Sequence, residues 1–72
     1  MPALPIISGA ACIAALAKIG YRTARQRGSH VRLIADGREP VTVPMHKELD
    51  RGTLRSILRT ANLDAAAFIA LL

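Results

Sequence analysis

The dipeptide Asp36-Gly37 constrains this chain more than any other feature. Asp-Gly suits the tight turn of a β-hairpin, because glycine takes the positive φ that such turns require. The residues before it alternate. Val31, Leu33 and Ala35 point one way, and His30, Arg32 and Ile34 point the other. After it, residues 40–43 read as another strand, closed by Pro44. A second break, Gly28-Ser29, precedes His30, and residues 21–27 ahead of it also alternate. That alternation puts Tyr21, Thr23, Arg25 and Arg27 on one face and Arg22, Ala24 and Gln26 on the other. Three strands joined by short turns make an antiparallel meander.

The flanks read as helices. Residues 9–19 carry an apolar stripe of Cys12, Ile13, Leu16 and Ile19, with Ser8 as N-cap and Gly20 just past the end. Residues 45–49 read as a loop. Asp50 is the N-cap of a second helix, with Leu49 and Leu54 at the positions of a hydrophobic staple. Leu54, Ile57, Leu58 and Ala61 form its apolar face. Arg51, Arg55 and Arg59, spaced four apart, line a different side. Asn62 is a stop signal. Asp64 opens a short last helix, stapled by Leu63 and Phe68, whose Phe68, Ile69, Leu71 and Leu72 contact the core or another chain. The expected class is α+β, in the order α-β-β-β-α plus a short C-terminal helix. An antiparallel three-stranded sheet packs on helices in two layers. This order is similar to that of double-stranded-RNA-binding domains, a likeness of fold that says nothing about chemistry.

Residues 1–72 are expected to form a single domain, with no repeat or linker. A domain of this size buries only about 60% of the surface its unfolded chain exposes. A deep pocket is therefore excluded, and any site is a shallow surface groove. With one Tyr, one Phe and no Trp, the core must be built from Leu, Ile, Val and Ala. Cys12 is the only cysteine, which excludes an internal disulfide and a Cys-ligated zinc site. It reads as a small core residue in a reducing, cytoplasmic setting. Residues 5–19 are apolar, yet no Lys or Arg precedes them and Pro5, Ser8 and Gly9 interrupt them. They are also too short to span a bilayer, so the expectation is a buried helix in a soluble protein with no membrane partner.

Ten Lys and Arg stand against five Asp and Glu, a formal charge of +5. All ten cations lie between Lys18 and Arg59, and both ends are nearly uncharged. A basic middle of this kind implies a polyanionic partner, nucleic acid or an acidic protein, against the plainer reading of a solubilising surface.

No Gly-rich phosphate loop, no paired carboxylates at useful spacing and no metal-ligand cluster are present in the sequence, so no metal or cofactor is expected. His30 and His46 are the side chains that normally titrate near neutral pH. Gly28 and Ser29 allow a tight turn and close approach of a phosphate to backbone N–H groups. Across that turn Arg25 and Arg27 fall near His30 on one sheet surface. Their planar forks match phosphodiester oxygens. A neutral imidazole there can take the proton of a ribose 2′-OH, and Arg25, Arg27 or Arg32 can stabilise charge building on the phosphate. From spacing alone, His30 reads slightly more readily as a half-buried structural residue than as a base. His46 reads as a solvated loop residue, with a second proton donor or phosphate contact as the alternative. Lys47, Arg51 and Arg55 extend a cationic track along an RNA backbone, meet an acidic protein, or simply solvate the helix.

These residues bring a family into view. The chain resembles the HicA (YcfA-like) toxins of type II toxin–antitoxin modules. The likeness is carried by Leu4-Pro5, Ser8-Gly9, Gly20-Tyr21, Arg25-Gln26-Arg27-Gly28-Ser29-His30, Val41-Thr42-Val43-Pro44, His46, Leu49 and Gly52-Thr53-Leu54-Arg55-Ser56-Ile57-Leu58. The resemblance implies a double-stranded-RNA-binding-like fold and metal-independent cleavage of mRNA that blocks translation. It also implies His30 as the catalytic histidine of Gly-Ser-His, and a HicB-type antitoxin that covers the active face. DNA would be met only through the antitoxin complex. The alternative function is a non-catalytic RNA-binding module of the same fold. One departure is Ala10-Ala11-Cys12, where the family often carries Lys or Glu after Ser-Gly; it makes the first helix more apolar and does not touch the cleavage motif.

Overall fold

A computed structural model describes residues 3–72. The elements are α1 (Gly9–Ala17), β1 (Arg22–Arg27), β2 (His30–Ala35), β3 (Arg38–Pro44), α2 (Arg51–Thr60) and α3 (Ala65–Ile69). The three strands form one antiparallel sheet in the order β1-β2-β3. This is the expected α+β architecture, with some limits moved. The regular part of α1 stops at Ala17, β1 starts one residue later than its alternation suggests, and β3 is longer at both ends.

Local chemistry explains the helix limits. Ser8 Oγ accepts from the Ala11 N–H, Asp50 Oδ1 from Thr53 and Asp64 Oδ1 from Ala67, so each helix has a side chain on its unpaired first-turn donors. After α1 the chain tightens into a 3₁₀-like turn, then Gly20 takes φ +101°. The Tyr21 N–H returns to the Leu16 carbonyl and Gly20 N–H to Ala17, the paired bonds of a Schellman close. Asn62 does the same for α2 at φ +59°, with Leu63 N–H on Leu58 and Asn62 N–H on Arg59. Arg38 adds its guanidinium to the Ala61 carbonyl at 2.7 Å, tying the sheet to the end of α2.

One core joins the layers: Cys12, Ala15 and Leu16 of α1, Leu54, Ile57 and Leu58 of α2, Phe68 of α3, and Val31, Leu33, Val41 and Val43 of the sheet. All the helices therefore cover a single sheet face. The opposite face carries His30, Arg32 and Thr42, all exposed. Pro40 and Pro44 cannot donate ladder hydrogen bonds, which suits β3 to its edge position. At the other edge, Arg22, Arg25 and Arg27 and a bulge discourage further strand pairing.

That bulge corrects the strict alternation read from the sequence. Thr23 pairs with Leu33, but Arg25 pairs with Arg32, so Ala24 is an extra residue in β1. An extra residue reverses the facing of everything beyond it. Thr23 therefore shares the Leu33 face, with Tyr21 buried just before it, whereas Arg25 and Arg27 turn to the open face. A second irregularity lies between Leu33 and Ala35 against β3. There the ladder is broken, and the Tyr21 hydroxyl donates to the Glu39 carbonyl at 2.7 Å.

Candidate functional site

The open sheet face is built by register. Arg27 stands opposite His30, Arg25 opposite Arg32, and Arg32 opposite Thr42. Directly opposed residues on one face are about 4.5–5.5 Å apart at Cβ. Arg25, Arg27, His30, Arg32 and Thr42 line a shallow open groove of about 170 Å³. The groove fits the size argument, which allowed a surface site only.

Gly28, with φ +59°, takes the first place of the two-residue turn joining β1 to β2. A side chain there would be strained, and Ser29 follows without a positive φ. The Ser29 carbonyl accepts from the Met45 N–H at 2.6 Å, and the Gln26 amide donates to the Gly28 carbonyl. The turn that presents His30 is thus held to the far end of β3. That end is held in turn by α1, because the Gly9 N–H donates to the His46 carbonyl at 2.9 Å. The approach is so close that a Cβ on Gly9 would fall 2.1 Å from the Pro44 oxygen.

Electrostatics mark the groove. No carboxylate lines it. Arg25 and Arg32 are like charges directly opposite each other, an arrangement that costs stability unless an anion sits between them. Arg32 Nη1 reaches Thr42 Oγ1 at 3.5 Å, a weak contact that leaves most of its donors free. Elsewhere Arg22 pairs with Asp36 at 3.9 Å. His30 is exposed, not half-buried as its place in a strand suggested.

The other sequence-derived candidates lie apart. The His46 side chain is exposed on the loop before α2, near enough to Asp50 to help hold that carboxyl below its ordinary value. It does not line the His30 groove. Lys47 is exposed on the same loop. Arg51 and Arg55 line a different groove, with Arg59 and the N-terminal residues Ala3 and Leu4. Thr42 escaped the sequence reading. It is the polar residue between Val41 and Val43, and that alternation already turned it away from the core.

Comparison with known proteins agrees with this picture. A family model described as the HicA toxin of bacterial toxin–antitoxin matches residues 9–63. The chain belongs to the HicA toxin family. The match runs from the first residue of α1 through α2, and so includes the whole groove. Membership places the chain on the toxin side of a toxin–antitoxin pair. A solved chain from a toxin–antitoxin complex of Streptococcus pneumoniae is similar in structure, with a TM-score of 0.69 and 29% identity over 79% of this chain and 98% of that one. No curated protein matches in sequence. Among the described residues, no helix of this HicA chain is long and apolar enough to cross a membrane.

Proposed function

We propose that this HicA toxin is an endoribonuclease, an mRNA interferase acting in the cytoplasm, with His30 as its general base. The observation that carries the reading is the groove on the open sheet face, where His30 stands among three guanidiniums and no carboxylate. Arg25, Arg27 and Arg32 hold the phosphodiester, with Gly28 and Ser29 giving the backbone room to approach. His30 takes the proton from the ribose 2′-OH. The 2′ oxygen forms its bond to the adjacent phosphorus, and the bond from phosphorus to the 5′ oxygen breaks. That oxygen takes a proton from solvent. The guanidiniums stabilise the charge that grows on the phosphate oxygens. No metal or cofactor takes part in these steps. The partner is a HicB-type antitoxin that covers this face, and DNA is met only through that complex. His46 and Lys47, exposed on the loop before α2, remain accessory candidates for phosphate contact; Arg51 and Arg55 line the separate groove and take no part in this reading.

The test is cleavage of a labelled RNA by the purified protein in EDTA. His30→Ala is expected to slow cleavage by about 10²–10⁴-fold, the usual contribution of a positioned base, with an unchanged melting curve. An Ala variant that cuts RNA and arrests growth as well as wild type would sink the mechanism. Wild type that binds RNA without cutting it, and binds as well after His30→Ala, would favour the non-catalytic RNA-binding reading.

A further inference from the structure

A second groove, of about 340 Å³, runs between the N-terminal segment and α2. Its floor is Leu4, Leu58 and Leu63, and Arg51, Arg55 and Arg59 stand along it. No acidic residue lines it, and no carboxylate lies within salt-bridge distance of these three guanidiniums among the described residues. It shares no lining residue with the His30 groove. We propose that this groove docks an acidic amphipathic helix of a partner protein.

Spacing and chemistry select that occupant. Arg51 to Arg59 is two helical steps of four, about 12 Å along α2 at 1.5 Å per residue. Carboxylates four apart on a facing helix repeat at the same interval and meet the three cations in register. Between them, that helix presents leucine-like side chains to the floor. A nucleic acid would satisfy the arginines and leave the leucines uncovered, since a ribose-phosphate strand has no apolar side chains and the groove has no aromatic ring for a base to stack on. The combination of apolar floor and cationic rim is that of a helix-in-groove site. If the toxin reading holds, the antitoxin is the protein that carries such a helix, and only this naming of the source rests on that reading.

The experiment uses full-length protein carrying His30→Ala, so that RNA is not consumed. Two labelled probes are titrated by fluorescence anisotropy: a helical peptide of five turns with Glu at every fourth position beside a leucine stripe, and a single-stranded RNA oligonucleotide. The peptide is expected to bind, and Arg55→Glu to weaken it about tenfold, because reversal turns attraction into repulsion. RNA affinity is expected to change less than about twofold in the same variant. Arg55→Gln, which removes the charge without reversing it, gives a smaller loss and serves if the reversal impairs folding. Failure of the peptide to bind overturns the proposal, as does equal binding of a peptide with Gln in place of Glu. A parallel loss of RNA affinity on Arg55→Glu overturns it in favour of an RNA track. Peptide binding lost while wild type still cuts RNA condemns this proposal alone; peptide binding without RNA cleavage by wild type supports it and condemns the cleavage reading alone.

Discussion

At the residue scale, the chain spends its backbone freedom where the site is assembled. Gly9 has no room for a Cβ against Pro44, and its N–H holds the His46 carbonyl. Gly9→Ala is expected to destabilise the fold by about 1–3 kcal/mol, the range for overpacking, and to disturb the end of β3 opposite His30. Thermal melting measures the first effect, and RNA affinity of the surviving folded protein the second; an unchanged melting curve would refute the steric argument. Cys12 makes the opposite case, a reactive residue type silenced by its place. It is fully buried, and burial pushes its thiol up to about 11, so the nucleophilic thiolate is scarce at neutral pH. It is expected to react with Ellman's reagent only after denaturant is added. Fast labelling of the native protein would contradict the packing of α1.

At the element scale, α2 depends on Asp50. Its carboxyl is held below the ordinary value, chiefly because it accepts from the Thr53 backbone, with His46 a lesser cause. The folded state therefore binds the proton less tightly than the unfolded chain. The resulting stability is present above the ordinary carboxylate range and is lost as pH falls through the depressed pKa. Asp50→Asn keeps an acceptor oxygen but has no proton to gain. Its melting temperature is expected to fall less steeply with acid than that of wild type, and parallel acid profiles would remove Asp50 from the account. The same helix shows how far sequence reading reaches. Its N-cap, its apolar face and its stop at Asn62 were all legible, because each rests on residues at most four positions apart. The β1 bulge was not legible. Ala24 carries no turn chemistry, and it becomes an extra residue only when β1 must satisfy Leu33 and Arg32 of a neighbouring strand at once.

At the scale of the whole molecule, a small core leaves little reserve. Phe68 is fully buried although α3 has only five residues. Phe68→Ala is expected to cost about 3–5 kcal/mol, comparable with the whole stability a core of this size supplies. Circular dichroism of that variant should show a largely unfolded chain at room temperature. A cooperative melt close to wild type would mean that α3 is dispensable. The two charged grooves are a consequence of the layers. All helices lie on one sheet face, so the His30 groove opens on the other, and the Arg51-Arg55-Arg59 row is carried away with α2.

The sequence alone determined the order of elements, the caps and turns, the residues of the core stripes, and the family. Local hydrogen-bonding and apolar periodicity act over a few residues and need no knowledge of what packs against them. It also picked out His30 and its flanking arginines as a segment. Which side chains share a surface was settled by the packed sheet. The two-residue turn sets Arg27 and Arg25 opposite His30 and Arg32, the bulge sends Tyr21 and Thr23 to the core face instead, register adds Thr42, and His46 and the α2 arginines fall elsewhere. Those placements depend on contacts between strands and between layers, and a one-residue shift in pairing reverses every face it reaches.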